Sequence, residues 1–387
     1  MSEQDLGLKV ASRRLLWRMG YTTRLDVQLR GAWGPAARPD MSKARGKRSS
    51  QPESFTDLDV LGLGLTGGAR LHSTIVDCKT TAGGSTGRMF WVRGVGDFFA
   101  ADDAYMVRDS VVTDAARQLA TRLGITTLTS AELSRLEELH SCDIPLDAAP
   151  ISHLFEVSSA ANVLAAFTGL DKKLKPLLDY REFGYWLYDE HRNLVQLVEH
   201  LRACTDLLDP RNPRHLALVL DLTWLYLVSL CHAIHAIRSA HVSDPDRGLQ
   251  EYLFGGIVGL REKEQLSGLL TSLREGGALP PEVRVDPLPA YYPKLRELIT
   301  RVMRRPDRVL PALRLLEVLT TVTALAQRVE PADLGSLHED LAAKQAADVI
   351  QFLVSTTGLD DGFRARARSL LFGEPVQSAP EQTTILT

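Results

Sequence analysis

The sequence predicts an α/β region with a mixed sheet, followed by an all-helical region. Three observations carry this prediction. Helical periodicity alternates with short β-branched runs over the first 140 residues. Residues 141–150 hold two prolines and no periodicity, as is typical of a boundary. Beyond them apolar residues recur at helical spacing. A chain of 387 residues is long for one domain, so we predict domains at 1–140 and 150–373 and a disordered polar tail at 374–387.

Composition limits the partners and the compartment. The formal net charge is −3, so a nucleic-acid partner would have to bind a local basic patch. Four cysteines (Cys78, Cys142, Cys204 and Cys231) form no CxxC pair, which argues against a zinc finger or a disulfide scaffold and fits a reducing cytosol. The first residues, MSEQDLGLKV, lack the apolar core of a signal peptide. We therefore expect a cytoplasmic protein.

The α/β region opens with a helix and a strand. Residues 4–20 carry an apolar stripe with a polar opposite face, and Gly20 is a natural C-cap. A strand is expected at 22–29, followed by an irregular polar stretch at 30–54. Two further strands, at 58–65 and 71–79, are joined by the hairpin signal Thr66-Gly67-Gly68.

A helix–strand–helix–strand series follows the hairpin. We expect a helix at 88–99 interrupted by Gly94 and Gly96, a strand at 105–107, a helix at 114–123 and a strand at 125–128, after which Thr129 opens another helix.

Acidic side chains occupy one face of the hairpin. Asp57 and Asp59 share a side of the first strand, and Asp77 and Lys79 share a side of the second, because side chains alternate along a strand. If the strands are neighbours in register, Asp59, Asp77 and Lys79 meet at one end of the sheet. A carboxylate pair can hold Mg²⁺ and leave sites for water and phosphate. The metal activates a bound water, and the lysine positions that water or stabilises the developing anion. The alternative is a hairpin with solvated acids and an exposed lysine.

An acid before a hydrophobic strand, a turn, and a strand ending in Asp77-Cys78-Lys79 together resemble the PD-(D/E)xK nuclease superfamily, the fold of many restriction endonucleases and resolvases. The resemblance covers about the first third of the chain, and the strand–helix–strand series that follows is similar to the close of Mrr-like domains. It implies a restriction endonuclease-like sheet of four or five strands. It also implies that Asp59 is a metal ligand and that Asp77 and Lys79 are the (D/E)xK pair.

The resemblance leaves one ligand open. Many members carry a glutamate on the first helix, whereas the centre of this helix holds Lys9 and Arg13. Glu3 or Asp5 could replace that ligand, or the site lacks it.

The expected function is a metal-dependent endonuclease that hydrolyses phosphodiester bonds in DNA, with RNA not excluded. The catalytic residues would be Asp59, Asp77 and Lys79, with Mg²⁺ or Mn²⁺ held by Asp59, Asp77 and Asp57. By analogy alone, such domains joined to helical regions serve in antiviral defence or DNA repair. The alternative is a catalytically inactive nuclease fold that binds DNA or protein as a scaffold.

Basic residues beside the site are candidates for phosphate contacts. The expected nucleic-acid-binding residues are Lys43, Arg45, Lys47, Arg48 and Arg88. The loop that carries the first four is equally consistent with a solvated surface insertion.

The helical half is expected to supply target recognition, dimerisation or regulation. Helices are expected at residues 151–168, 171–179, 183–208, 213–240, 246–254, 260–275, 291–304, 306–328, 331–343, 345–356 and 360–371. The run at 215–237 approaches the length of a membrane span, but a buried central helix explains it better and no membrane is expected. His232 and His235 could bind a metal, although packing at the bundle edge is the favoured interpretation.

Overall fold

The computed structural model describes residues 3–30, 54–80, 85–187, 189–278, 280 and 286–375. Lys43, Arg45, Lys47 and Arg48 lie outside the described residues, as does most of the predicted tail.

The α/β region alternates helices with five strands. Its elements are α1 (Glu3–Arg18), β1 (Thr22–Arg30), β2 (Ser54–Thr66), β3 (Arg70–Lys79), α2 (Ser85–Phe99), β4 (Asp103–Arg108), α3 (Asp114–Arg122), β5 (Ile125–Thr129) and α4 (Ser130–Leu139). The strands form one sheet in sequence order. β1, β2 and β3 are antiparallel neighbours, whereas β4 and β5 continue the sheet in parallel with β3. The predicted mixed sheet is confirmed.

Helices make up the rest of the described chain. They are α5 (Val157–Thr168), α6 (Lys175–Asp179), α7 (Tyr185–Leu187), α8 (Asn193–Arg202), α9 (Pro213–Ala240), α10 (Pro245–Leu253), α11 (Ile257–Glu275), α12 (Tyr292–Met303), α13 (Val309–Ala324), α14 (Asp340–Thr357) and α15 (Asp361–Phe372). Short 3₁₀ or π turns lie at Gly67–Ala69, Ile151–Phe155, Lys172–Leu174, Tyr180–Gly184, Glu190–Arg192, Thr205–Leu207, Pro306–Arg308 and Pro331–Leu337. The predicted fold class, an α/β region followed by an all-helical region, is confirmed.

The two faces of the sheet have different partners. Val60 and Val76 face α1, whose Leu8, Leu15 and Leu16 cover them. Gly62 lets this helix approach closely, because a Cβ there would lie 2.9 Å from a methyl carbon of Leu16. The opposite face belongs to a large apolar core that extends without interruption into α9, α13 and α14. The sheet and the helices therefore share one core.

Helix α9 is the centre of that core. Its most apolar window is 94% buried inside the protein, and among the described helices it alone is long and apolar enough to cross a membrane. The prediction of a buried central helix is confirmed.

Several predicted helix boundaries were wrong. Helix α2 is continuous through Gly94 and Gly96, because the cost of about 1 kcal/mol per helical glycine is offset by burial of Met89, Val92 and Val95. The helix predicted at 183–208 is divided into α7, a 3₁₀ turn and α8. Conversely, α14 runs unbroken through residue 344, and the break comes earlier, at Gly335 with φ 51°.

Candidate metal centre

A break in the β1–β2 pairing creates the acidic site. Leu25 pairs with Val60 and Val27 pairs with Leu58, but Asp26 and Asp59 between them are not paired. Asp26 has φ 54°, a left-handed conformation that aspartate tolerates better than most residues. Across the break the strand changes its packing, since Val60 lies under α1 whereas Leu58 joins the large core. At the break, therefore, successive side chains of the strand do not alternate between the two faces of the sheet.

Three carboxylates converge at this break. Ligand oxygens of Asp26, Asp57 and Asp59 all lie within 4.8 Å of one another. The carboxylates differ in burial: 10% of the Asp59 side chain is exposed, whereas 56% of the Asp57 side chain is exposed. Asp59 is fixed by the backbone N–H of Cys78, which donates a 2.7 Å hydrogen bond to its Oδ2. The structure thus joins the predicted Asp57 and Asp59 with Asp26, a residue that sequence reasoning missed.

Lys9 of α1 lies against all three carboxylates. Its buried ammonium is 2.8 Å from Asp59 Oδ1 and 3.7 Å from Asp57 Oδ2, and it also contacts Asp26. Burial acts to lower the pKa of Lys9, but the charges of Asp59 and Asp26 outweigh burial and raise it. Burial raises the pKa of Asp59 despite the neighbouring ammonium. A nearby positive charge therefore favours the ionised form of the Asp59 carboxylate.

Asp77 lies outside this cluster. Its carboxylate forms a two-point ion pair with Arg88 of α2, in which Nε donates to Oδ2 at 3.1 Å and Nη2 donates to Oδ1. The Arg88 guanidinium also stacks over Trp91, 3.4 Å from the ring centroid. Asp77 lies on the α2 side of the sheet with Ile75, whereas the break turns Asp59 toward Lys9 of α1. Metal binding by Asp77 and nucleic-acid contact by Arg88 stay predictions.

Lys79 lines the same cleft as the cluster and is half-buried. Among the residues that the structure describes, none forms an ion pair with its ammonium. The neighbouring Thr80 donates a 2.5 Å hydrogen bond to Asp5 in the first turn of α1. Of the two acids considered for the first helix, Asp5 lines the cleft, whereas Glu3 is exposed and does not.

The cleft lies between the sheet and the helical half. It has a volume of about 980 Å³, and α5, α9 and α13 contribute much of its wall. The helical residues that line it are Ala160, Val163, Leu164, Phe167, Thr168, Arg181, Glu182, Asp221, Trp224, Glu317, Thr320 and Thr321. The candidate site therefore belongs to both halves of the chain.

Glu317 of α13 is a buried carboxylate that fastens α1 and β1 to the helices. It accepts from Arg13 (Nη2, 2.8 Å; Nε, 3.2 Å), from Trp17 Nε1 at 3.0 Å and from Thr22 Oγ1 at 2.7 Å. The Thr23 amide, at 2.9 Å, and the Thr23 hydroxyl complete its shell. Six donors on one carboxylate explain how a glutamate with 7% exposure remains in the core.

Asp221 of α9 forms a second buried clamp. Arg24 of β1 binds it with both terminal nitrogens, at 3.1 and 3.0 Å, and Arg181 donates to the same carboxylate. Burial alone would raise the pKa of Asp221, but the charges of Arg181 and Arg24 lower it overall. The one sign of this clamp in the sequence is Asp221 itself, an aspartate within the apolar run at 215–237.

His232 and His235 of α9 lie in a separate cleft. His232 Nδ1 is 3.3 Å from Glu190 Oε2, and this contact lowers the pKa of Glu190. Within the described residues, the metal-ligand geometry found at Asp26, Asp57 and Asp59 is not repeated around His232 and His235.

Comparison of the chain with protein-family models, with curated proteins and with solved structures finds no match. The site itself shows a buried acidic cluster that can hold a metal ion of unspecified identity. It lies in a mixed α/β region that is compatible with the fold expected from the sequence.

Proposed function

We propose that this protein is a metal-dependent nuclease that hydrolyses phosphodiester bonds in DNA, with RNA as the other possible polymer. The observation that carries the proposal is the convergence of Asp26, Asp57 and Asp59 in the cleft that Lys79 also lines. The order of the elements supports the proposal. The helix α1, the strand β1, the acid-bearing strand β2 and the DxK strand β3 follow one another as the resemblance to the PD-(D/E)xK superfamily implies.

The donor set fits a hard divalent cation. Metal–oxygen bonds are about 2.0–2.6 Å long, so two ligands of one ion lie up to about 5 Å apart, and the three carboxylates satisfy this limit. Mg²⁺ or Mn²⁺ bound there would supply an activated water and neutralise charge on the phosphate. Lys79 would hold the nucleophile or the developing oxyanion, because its ammonium has no ion-pair partner among the described residues. Asp77 would join this chemistry only after parting from Arg88.

A scaffold without catalysis is the second candidate, and a specific observation favours it. Lys9 contacts all three carboxylates from within the chain, and Arg88 pairs with Asp77. A site whose acids already have cationic partners in the chain has a smaller need of a metal for its stability. On this alternative the fold persists as a platform for DNA or protein binding.

Nicking of plasmid DNA and cutting of labelled oligonucleotides, each with Mg²⁺, Mn²⁺ or EDTA, test the proposal. We expect metal-dependent cleavage that Asp59→Asn or Asp26→Asn abolishes. Lys79→Ala should reduce it by about 10²–10³-fold, the usual cost of losing one oxyanion-stabilising group. Lys344→Ala is the matched control, because Lys344 is exposed on α14, far along the chain from the site. Cleavage by Lys79→Ala at the parental rate would show that the assignment is wrong.

Calorimetry with Mn²⁺ separates the two candidates. If Lys9 competes with a cation for the same oxygens, Lys9→Gln binds Mn²⁺ more tightly than the parent, and Asp59→Asn does not bind it. If the protein is a scaffold, neither the parent nor Lys9→Gln binds Mn²⁺, and Lys9→Gln only lowers stability. A role in defence or repair, a cytoplasmic location and a partner or second copy bound through the helical half belong to the same proposal as expectations.

A further inference from the structure

The described residues of the cleft offer little free positive charge. Seven carboxylates and five cationic side chains line it. Four of the five cations are paired: Lys9 with the acidic cluster, Arg13 with Glu317, and Arg24 and Arg181 with Asp221. Lys79 is the exception among the described residues. A protein that holds duplex DNA through about 6–10 phosphate contacts needs a comparable number of free cations, and the described residues of these walls do not supply them.

The cleft is also small for a duplex. Its volume is about 980 Å³. The volume lies at the upper end of the range of pockets for small ligands, about 300–1,000 Å³. A single strand of nucleic acid that enters the cleft can thus reach the buried end of the acidic cluster, at Asp59.

The helical wall of the cleft suits unpaired bases. Val163 and Leu164 of α5 are partly buried, and both line the cleft together with Phe167. Beside them the Arg181 guanidinium lies over the Phe167 ring, 4.0 Å from its centroid. Unpaired bases stack on aromatic rings and guanidinium planes. The Phe167 ring is buried, so the Arg181 guanidinium is the plane at this wall, with Val163 and Leu164 as apolar contacts beside it. This wall shares the cleft with the carboxylates.

We infer that the cleft takes an unpaired segment of nucleic acid, either a single strand or a frayed end, in preference to continuous duplex. The phosphate would lie at the carboxylates and Lys79, and a neighbouring base would lie on the α5 wall. The inference rests on the proposed function for its cleavage readout, and binding tests it separately.

The experiment compares four DNA substrates with one sequence in common: a single strand, a blunt duplex, that duplex with a single-stranded tail, and a closed duplex circle. Cleavage is followed with Mn²⁺, and binding by fluorescence anisotropy in EDTA. We expect the single strand and the tail to be cut at least tenfold faster than the blunt duplex, and the single strand to bind more tightly. Leu164→Ser should reduce single-strand binding and cleavage severalfold and leave Mn²⁺ affinity unchanged, because it removes apolar surface from the wall. Ala161→Ser, exposed on the same helix and outside the cleft, should leave binding, cleavage and Mn²⁺ affinity unchanged.

The outcomes separate the two claims. Equal or faster cutting of the blunt duplex and the circle, or tighter binding of duplex, would overturn the inference while the nuclease proposal stands. Absence of cleavage together with a single-strand preference that Leu164→Ser removes would overturn the nuclease proposal and support the inference.

Discussion

Replacing Glu317 by glutamine should destabilise the protein strongly, although the change removes no volume. The carboxylate accepts six hydrogen bonds from α1 and β1. A glutamine amide has one oxygen and one donating nitrogen. The nitrogen would therefore face donors, and the charge of Arg13, whose side chain is only 10% exposed, would lose its partner.

The expected cost follows from the burial of the pair. Breaking a buried ion pair by removing one partner costs about 3–5 kcal/mol, because an uncompensated charge stays behind. We expect Glu317→Gln to fall in this range. The six hydrogen bonds are not additive, since the surviving oxygen still serves some of the donors. A loss of that size is a large fraction of the stability of a typical domain, about 5–15 kcal/mol.

Urea unfolding followed by circular dichroism measures the effect as a shift of the midpoint at constant slope. Glu138→Gln on α4 is the matched control, because Glu138 is exposed and such surface changes stay within about 0.5 kcal/mol. The double variant Arg13→Met, Glu317→Gln should recover part of the loss, since it removes the stranded charge. If Glu317→Gln shifted the midpoint no more than Glu138→Gln does, Glu317 would not be the clamp described above.

Two further predictions concern titration and thiol access. At neutral pH Asp221→Asn should lower the free energy of unfolding, because Arg24 and Arg181 then lack their counter-charge. The pKa of Asp221 is lowered in the folded state, so its contribution is present above its ordinary pKa of 3.8 and is lost as pH falls through the folded value. The difference in urea midpoint between parent and variant should thus shrink below about pH 4, and a difference constant from pH 7 to 3 would contradict the assignment. In thiol labelling at pH 8, we expect Cys142 to react in the native protein and Cys78, Cys204 and Cys231 to react only after unfolding. The last three are buried, and burial raises the pKa of Cys231 to about 12. Equal labelling of all four before unfolding would contradict the burial of these three thiols.

Much of the α/β region could be predicted from local pattern. The hairpin of β2 and β3 follows from alternation and from Gly67, and the observed register places Leu61 opposite Ile75 as that alternation requires. Asp57 and Asp59 were identified because acids in a strand are unusual enough to be noticed. These signals are local, so one sequence carries them.

The remaining site features arise from contacts distant in sequence. The left-handed backbone at Asp26 breaks the alternation that would otherwise bring Asp59 to the side of Asp77. Lys9 appeared to be a departure from the family pattern, whereas in the fold its ammonium lies among the three acids. Glu317 gave no signal at all, because its partners in α1 and β1 lie about 300 residues away along the chain.

The two clamps explain why the helical half matters to the site even before any partner is considered. Arg13, which Glu317 holds, lies one helical turn from Lys9, so the clamp fixes the segment of α1 that carries the ammonium. Arg24, which Asp221 holds, is two residues from Asp26 on β1. Each clamp therefore holds a backbone segment that bears one residue of the candidate site, which is Lys9 on α1 and Asp26 on β1. A fragment ending near residue 140 would keep these donors but lose both acceptors and the helices that cover them, so neither segment would be held in place at the acidic centre.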